Sequence, residues 1–129
     1  MSGGLNRVML LGDLASEPEL YVTRGGKVVL TLRLATTESY LDKDDIPRER
    51  TSFHPVVVLG RRADTLSKTL RKGARVFVEG SLRTSTYEGR DGGKRTKTEI
   101  VATEVLYAGE RAGAVTASMS EHDPGSRIA

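Results

Sequence analysis

The chain has 129 residues, 29% charged and 37% hydrophobic, with a formal net charge of +3 and a pI near 9.4. Length and balance fit one domain with a modest core and exclude a wholly disordered chain. Without cysteine there are no disulfides, no thiolate chemistry and few ways to hold zinc, and no apolar run is long enough to span a bilayer.

The opening MSGGLNRVMLLG carries neither the cationic start nor the cleavage pattern of a signal peptide, so a cytoplasmic setting is expected. Leu5 to Leu14 is a short apolar run broken by Gly12, and Ser16-Glu17-Pro18-Glu19 marks a turn. Gly25-Gly26 is a hairpin signal. After it, Leu30, Leu32 and Leu34 alternate with Thr31 and Arg33, the pattern of a half-buried strand. Tyr40 to Arg50, charged and containing Pro47, reads as a long loop. Phe53 to Gly60 is short and β-branched, a third strand, with Pro55 requiring an edge position or a bulge.

Between Arg61 and Lys72 the period changes: Ala63, Leu66 and Leu70 recur at helical spacing, with Gly73 as the C-terminal cap. Arg75 to Leu82 alternates again, with Val76, Val78 and Leu82 on one face and Phe77, Glu79 and Arg83 on the other. Glu88 to Lys94 is a Gly-rich hairpin tip rather than a phosphate loop, since no helix opens after it. Thr96 to Tyr107 is a last strand, with apolar residues on both faces toward its end, which predicts burial on both sides there. From Ala108 the pattern stops, and residues 109–129 read as a flexible tail behind a domain of residues 1–108. Two arginines and three acids fall in the tail, so 18 of 20 bases and 14 of 17 acids belong to the domain, which carries the basic surplus. Five short strands with one helix between the third and fourth describe an all-β chain of the OB type, a five-stranded Greek-key barrel. Periodicity alone leaves a sandwich open.

Three of the six aromatics, Tyr40, Phe53 and Tyr87, sit among charges rather than in apolar runs. A ring beside a cation suits a single-stranded nucleic acid, whose base stacks while its phosphate meets the charge. Surface or loop packing is the plain alternative. Phe53, Pro55, Val57 and Leu59 share one strand face, which would be the platform. The hairpin cations Arg90, Lys94, Arg95 and Lys97 are either simply solvated or close to that platform. Asp42, Asp44 and Asp45 lack calcium-loop spacing and read as a solvated loop. His54 and His122 form no metal site, and no cofactor is expected.

Several motifs resemble bacterial single-stranded DNA-binding proteins. They are Asn6-Arg7-Val8 with Leu11-Gly12-Asp13-Leu14 and Pro18-Glu19, Leu34-Ala35-Thr36 with Glu38-Ser39-Tyr40, and Phe53-His54 with Val56-Val57-Val58 and Gly60. Leu70-Arg71-Lys72-Gly73 and Val78-Glu79-Gly80-Ser81-Leu82-Arg83-Thr84 complete the series, which runs to about residue 108. The resemblance implies an OB-fold, a homotetramer with a dimer as the alternative, a nucleoid-associated setting and sequence-independent binding of single-stranded DNA. It carries stacking roles to Tyr40, Phe53 and Tyr87, and puts Leu59, which cannot stack, at a fourth ring position. Basic contacts map to Arg7, Lys43, Arg61 or Arg62, Lys72 and Arg83, with Arg33 a weaker candidate. Two basic positions are lost, at Pro55 and Ser85. His54 and Phe77 map to the subunit interface, although Phe77 equally fits a core.

The chain ends Pro124-Gly125-Ser126-Arg127-Ile128-Ala129 rather than in the family's acidic tip, which leaves recruitment of replication and repair proteins without its usual handle. Asp44-Asp45-Ile46-Pro47 looks like that tip but is internal, without a terminal carboxylate, and reads as coincidence. The leading expectation is a non-enzymatic protein that protects single-stranded DNA in replication, recombination and repair. Two others stand beside it: a weakly DNA-binding adaptor of the same family in the primosome, DNA uptake or a phage, and a nuclease. The nuclease would need a carboxylate cluster that the sequence does not offer.

Overall fold

The computed structural model describes residues 3–110. Strands β1 (Val8–Leu14), β2 (Glu19–Val22), β3 (Val28–Leu41) and β4 (Pro47–Leu59) precede helix α1 (Arg61–Thr69), and β5 (Ala74–Glu88) and β6 (Lys94–Glu110) follow it. Neighbouring strands run β1-β5-β6-β4-β3, and a further β1–β3 pairing closes these five into a barrel, with β2 added at the side of β3. All ladders are antiparallel except β4–β6, which is parallel through Val56↔Ile100 and Val57↔Val101. This is the OB barrel expected.

The barrel closes where β1 turns from β5 onto β3, at Asp13↔Ala35 and Leu14↔Leu34. Gly12 makes that crossing possible: a Cβ there would lie 2.2 Å from the Ala35 carbonyl oxygen. The interior holds Leu14, Leu30, Leu32, Leu34, Val56, Val58, Val76, Val78, Ile100 and Val105. Helix α1 plugs one end with Ala63 and Leu66, and Leu70 follows into the core. Leu70 is buried in extended backbone (φ −90°, ψ 143°), so the helix stops at Thr69, short of the expected Lys72. Gly73 then serves a turn (φ +92°) in which Ala74 N–H donates to the Arg71 carbonyl.

Five further expectations change. A short sixth strand, β2, forms a hairpin with β3 whose turn includes Gly26 at φ +84°. The loop expected over Tyr40–Arg50 is instead a ribbon, since β3 and β4 stay in register from Val29↔Leu59 to Leu41↔Pro47. Only Asp42–Ile46 turns. The Asp42 carboxylate accepts from the Asp44 and Ile46 N–H groups, and Asp45 takes a left-handed φ of 61°. The mock acidic tip is therefore part of a hairpin turn.

In β6 a register shift opposite Glu79 and Gly80 skips Thr103, so Ile100 and Ala102 point inward and then Val105 does. Leu106 is left exposed, and the expected two-sided burial does not occur. Leu82 also faces solvent, where β5 leaves the barrel as an arm. Pro55 has β3 on one side, while β4 meets β6 only from Val56, which is the open-edge position expected. β6 runs to Glu110, so the expected tail is strand at 109–110; the rest of it, with His122, lies outside the described residues.

Candidate nucleic-acid interface

Directly opposed residues in a ladder share a face. Val57 is paired with Thr31, Pro55 with Arg33, Phe53 with Ala35, and Val29 with both Leu59 and Tyr21. All of these point away from the barrel interior. Val57↔Val101 carries the same face to β6, and Glu99↔Arg83 and Arg95↔Tyr87 carry it up the β5–β6 arm. The expected grouping of Phe53, Pro55, Val57 and Leu59 therefore holds as geometry, and Arg33, Arg83 and Tyr87 join it.

Three hollows run along this face. The first, about 580 Å³, is lined by Arg33, Phe53 and Pro55, with Glu17 and Glu19 on its rim. The Arg33 guanidinium lies over the Phe53 ring, 4.4 Å from its centroid. Thr31 is shared with the second hollow, of about 300 Å³. Its floor is Val29 and Val57, each 5% exposed although neither belongs to the barrel core. Tyr21 and Leu59 stand to one side, Arg83 and Lys97 to the other. Lys27 and Leu59 lead into the third hollow, about 750 Å³, which reaches Arg61. One acid sits in the middle of the path: the Glu99 side chain, 13% exposed, lies 3.5 Å from Arg83 Nη2 and 3.6 Å from Lys97 Nζ.

The remaining expected residues are dispersed. Tyr40 pairs with Arg48 and so points to the opposite face of the ribbon from Phe53; the Arg50 guanidinium lies 4.7 Å from its ring centroid. Lys43 is exposed in the turn beyond it. That turn is electrostatically tuned. The Ile46 N–H, then Arg48 and the Asp44 N–H, hold Asp42 below its ordinary pKa of 3.8. Arg7 is exposed just before β1, beside Asn6, whose side-chain amide clamps the Leu82 N–H and carbonyl, each at 2.8 Å. Lys72 is exposed after α1, next to Gly73, whose N–H donates to the Leu14 carbonyl at the far end of β1. Arg62 donates to the Thr103 carbonyl at the β6 bulge and lies 4.0 Å from Glu104, whereas Arg61 lines the third hollow.

His54 Nε2 hydrogen-bonds Thr36 Oγ1 at 2.8 Å. Phe77 is half-buried outside the core cluster, between exposed Leu11 and Leu106 and near exposed Met9. The core reading of Phe77 therefore fails. Among the described residues no group of three or more His, Asp or Glu could hold a metal ion.

The sequence pattern does not single out Tyr21, Lys27 or Arg50. Tyr21 sits in the apolar triplet Leu20-Tyr21-Val22, which reads as ordinary strand. Arg50 falls in the charged stretch whose composition reads as a loop. Their positions become visible only through the ladder pairings.

A closed five-strand barrel plugged by one helix, with rings and cations on its outer face and two projecting ribbons, defines an OB barrel. Residues 5–107 match the model of the single-strand binding protein family. The chain belongs to that family. It is 40% identical over 111 residues to the single-stranded DNA-binding protein of Xylella fastidiosa, covering 86% of this chain and 68% of that one. It is 38% identical to single-stranded DNA-binding protein 1 of Chlorobaculum tepidum, covering 96% and 79%. Among solved structures, a deletion mutant of the Thermus aquaticus single-stranded DNA binding protein superposes with a TM-score of 0.76 at 34% identity, over 87% of this chain and 54% of that one. A Plasmodium falciparum SSB complex with ssDNA gives 0.75 at 31%, over 83% and 97%.

Proposed function

We propose that this chain binds single-stranded DNA without sequence preference and protects it during replication, recombination and repair, acting as a binding protein rather than an enzyme. The observation that carries the reading is the ring-and-cation pair on the outer face, Arg33 over Phe53, at the head of a line of hollows that reaches Arg83 and then Arg61. A base slides onto the Phe53 ring while the guanidinium turns to the phosphate; every base has a π-face, so sequence matters little. Tyr40 and Tyr87 extend the stacking onto the two ribbons. Arg33, Arg61 and Arg83 neutralise phosphates along that line and Arg7, Lys43 and Lys72 do so away from it, with Arg62 committed to Thr103. The Plasmodium relative, solved with ssDNA, supports the same reading.

The protein assembles as a homotetramer and works in the bacterial cytoplasm on the nucleoid. The outer patch of Met9, Leu11, Phe77 and Leu106 is the apolar surface that suits a subunit contact, and His54, hydrogen-bonded to Thr36, is the other proposed contact residue. Light scattering tests this: Leu11→Glu lowers the mass, and an unchanged mass removes the patch from the interface. For binding, oligo-dT anisotropy on the combined Tyr40→Ala, Phe53→Ala, Tyr87→Ala variant is decisive. Tight binding is abolished, and wild-type affinity in that variant would overturn the stacking account.

A further inference from the structure

We infer that Tyr21 is a further stacking platform for a base of single-stranded DNA, placed at the centre of the outer path. This rests on the reading above and adds a residue to it. Along β4 the face runs from Phe53 to Leu59, six residues or roughly 20 Å, with no second ring on β4 or on the facing stretch of β3. A strand threading that distance onto Arg61 has apolar floor beneath it, Val29 and Val57, but nothing flat to stack on. Tyr21 supplies the missing plane. It shares a rung with Val29 and Leu59, is 50% exposed, and walls the second hollow on the side opposite Arg83 and Lys97.

Charge identifies the occupant. Lys27, Arg83 and Lys97 face the hollow and only Glu99 opposes them, so the site has a cationic surplus beside a ring and an apolar floor. A nucleotide has both halves of that chemistry, a π-face for the ring and a phosphate for the cations. An apolar peptide would leave that cationic surplus without a counter-charge. The hollow also continues the Phe53 hollow through Thr31 and the Arg61 hollow through Lys27, so a strand engaged at either end passes over Tyr21.

The full chain is titrated with oligo-dT by anisotropy, and cross-linked to oligonucleotides carrying 5-iodouracil. Tyr21→Ala and Tyr21→Leu each weaken binding about 5- to 150-fold, the loss of one stacked base. Tyr21→Phe binds as wild type, and cross-links map to Tyr21. Light scattering gives an unchanged mass for every variant. Wild-type affinity in Tyr21→Leu overturns the inference, because the side chain would then be apolar filler. A fall in mass accompanying the loss of affinity also overturns it, because the ring would be serving a subunit contact. If Tyr21→Ala binds as wild type while the Tyr40, Phe53, Tyr87 variant does not, this inference fails and the wider reading stands. If the wild-type chain ignores oligo-dT, both fail.

Discussion

Glu99 is an internal counterion in the path, and Glu99→Gln measures what it costs. Its carboxylate holds Arg83 and Lys97 at 3.5 and 3.6 Å, where phosphate oxygens would otherwise be met. Glutamine keeps the shape and a hydrogen-bond acceptor but removes the charge. A carboxylate about 6 Å from a bound phosphate repels it by ~0.7 kcal/mol at a dielectric of 80 and ~2.8 kcal/mol at 20. Both cations are more than half exposed, so the lower part of that range applies. The expected gain in oligo-dT affinity is therefore about 3- to 10-fold at ~0.1 M salt, and it vanishes near 1 M, where the Debye length is about 3 Å.

The assay is oligo-dT anisotropy across salt, paired with thermal unfolding. Freed cations that reach phosphates steepen the log–log salt slope by about 0.7 each. Losing two ion pairs whose cations are more than half exposed costs about 0–1 kcal/mol apiece, so the melting temperature falls by roughly 10 °C at most. Equal or weaker affinity at low salt, with the fold intact, would refute the idea that Glu99 competes with DNA for Arg83 and Lys97.

Three other outcomes follow from the same geometry. Gly12→Ala forces β1 off Ala35, since its Cβ would start 2.2 Å from a carbonyl oxygen; overpacking plus weakened closure pairs costs about 2–4 kcal/mol in chemical denaturation. Gly4→Ala, with nothing within 4 Å, is the neutral control, and equal stability of the two variants contradicts the closure argument. In a pH titration of the ribbon turn, Asp42 contributes fully above 3.8 and is lost only as pH falls through its lower folded value. The Asp44 and Ile46 amide resonances report that midpoint, and a value at or above 3.8 removes the capping role. Finally, Arg61→Ala reduces the salt slope by about 0.7 while Arg62→Ala leaves it unchanged; the reverse pattern would assign the phosphate contact to Arg62.

The barrel was legible because its wall obeys period two. Leu30, Leu32 and Leu34 alternate with Thr31 and Arg33 because one side is dry and the other wet, and the structure buries those three leucines. The ribbon over Tyr40–Arg50 has both sides wet, so no alternation survives and a regular strand carries a loop's composition. The second arm was found only because Gly89, Gly92 and Gly93 mark its tip. In β6 a single skipped residue, Thr103, reverses the phase, so Val105 points inward and Leu106 lies outside, where burial on both faces was expected.

Where the candidate residues lie on the fold was legible only in part. A ring among charges is conspicuous in a chain with six aromatics, so Phe53 and Tyr87 stood out, and they do share the outer face. Tyr40 stood out equally, yet it points to the other side of its ribbon, because strand parity rather than composition decides which way a ring faces. Tyr21 did not stand out, since a ring between Leu20 and Val22 reads as part of an apolar run. Its place on the path depends on β2 pairing with β3 at the same rung where β3 pairs with β4. Composition identifies rings that look misplaced in the chain. A binding face is a property of rungs, and a ring can be ordinary in sequence and central on the surface.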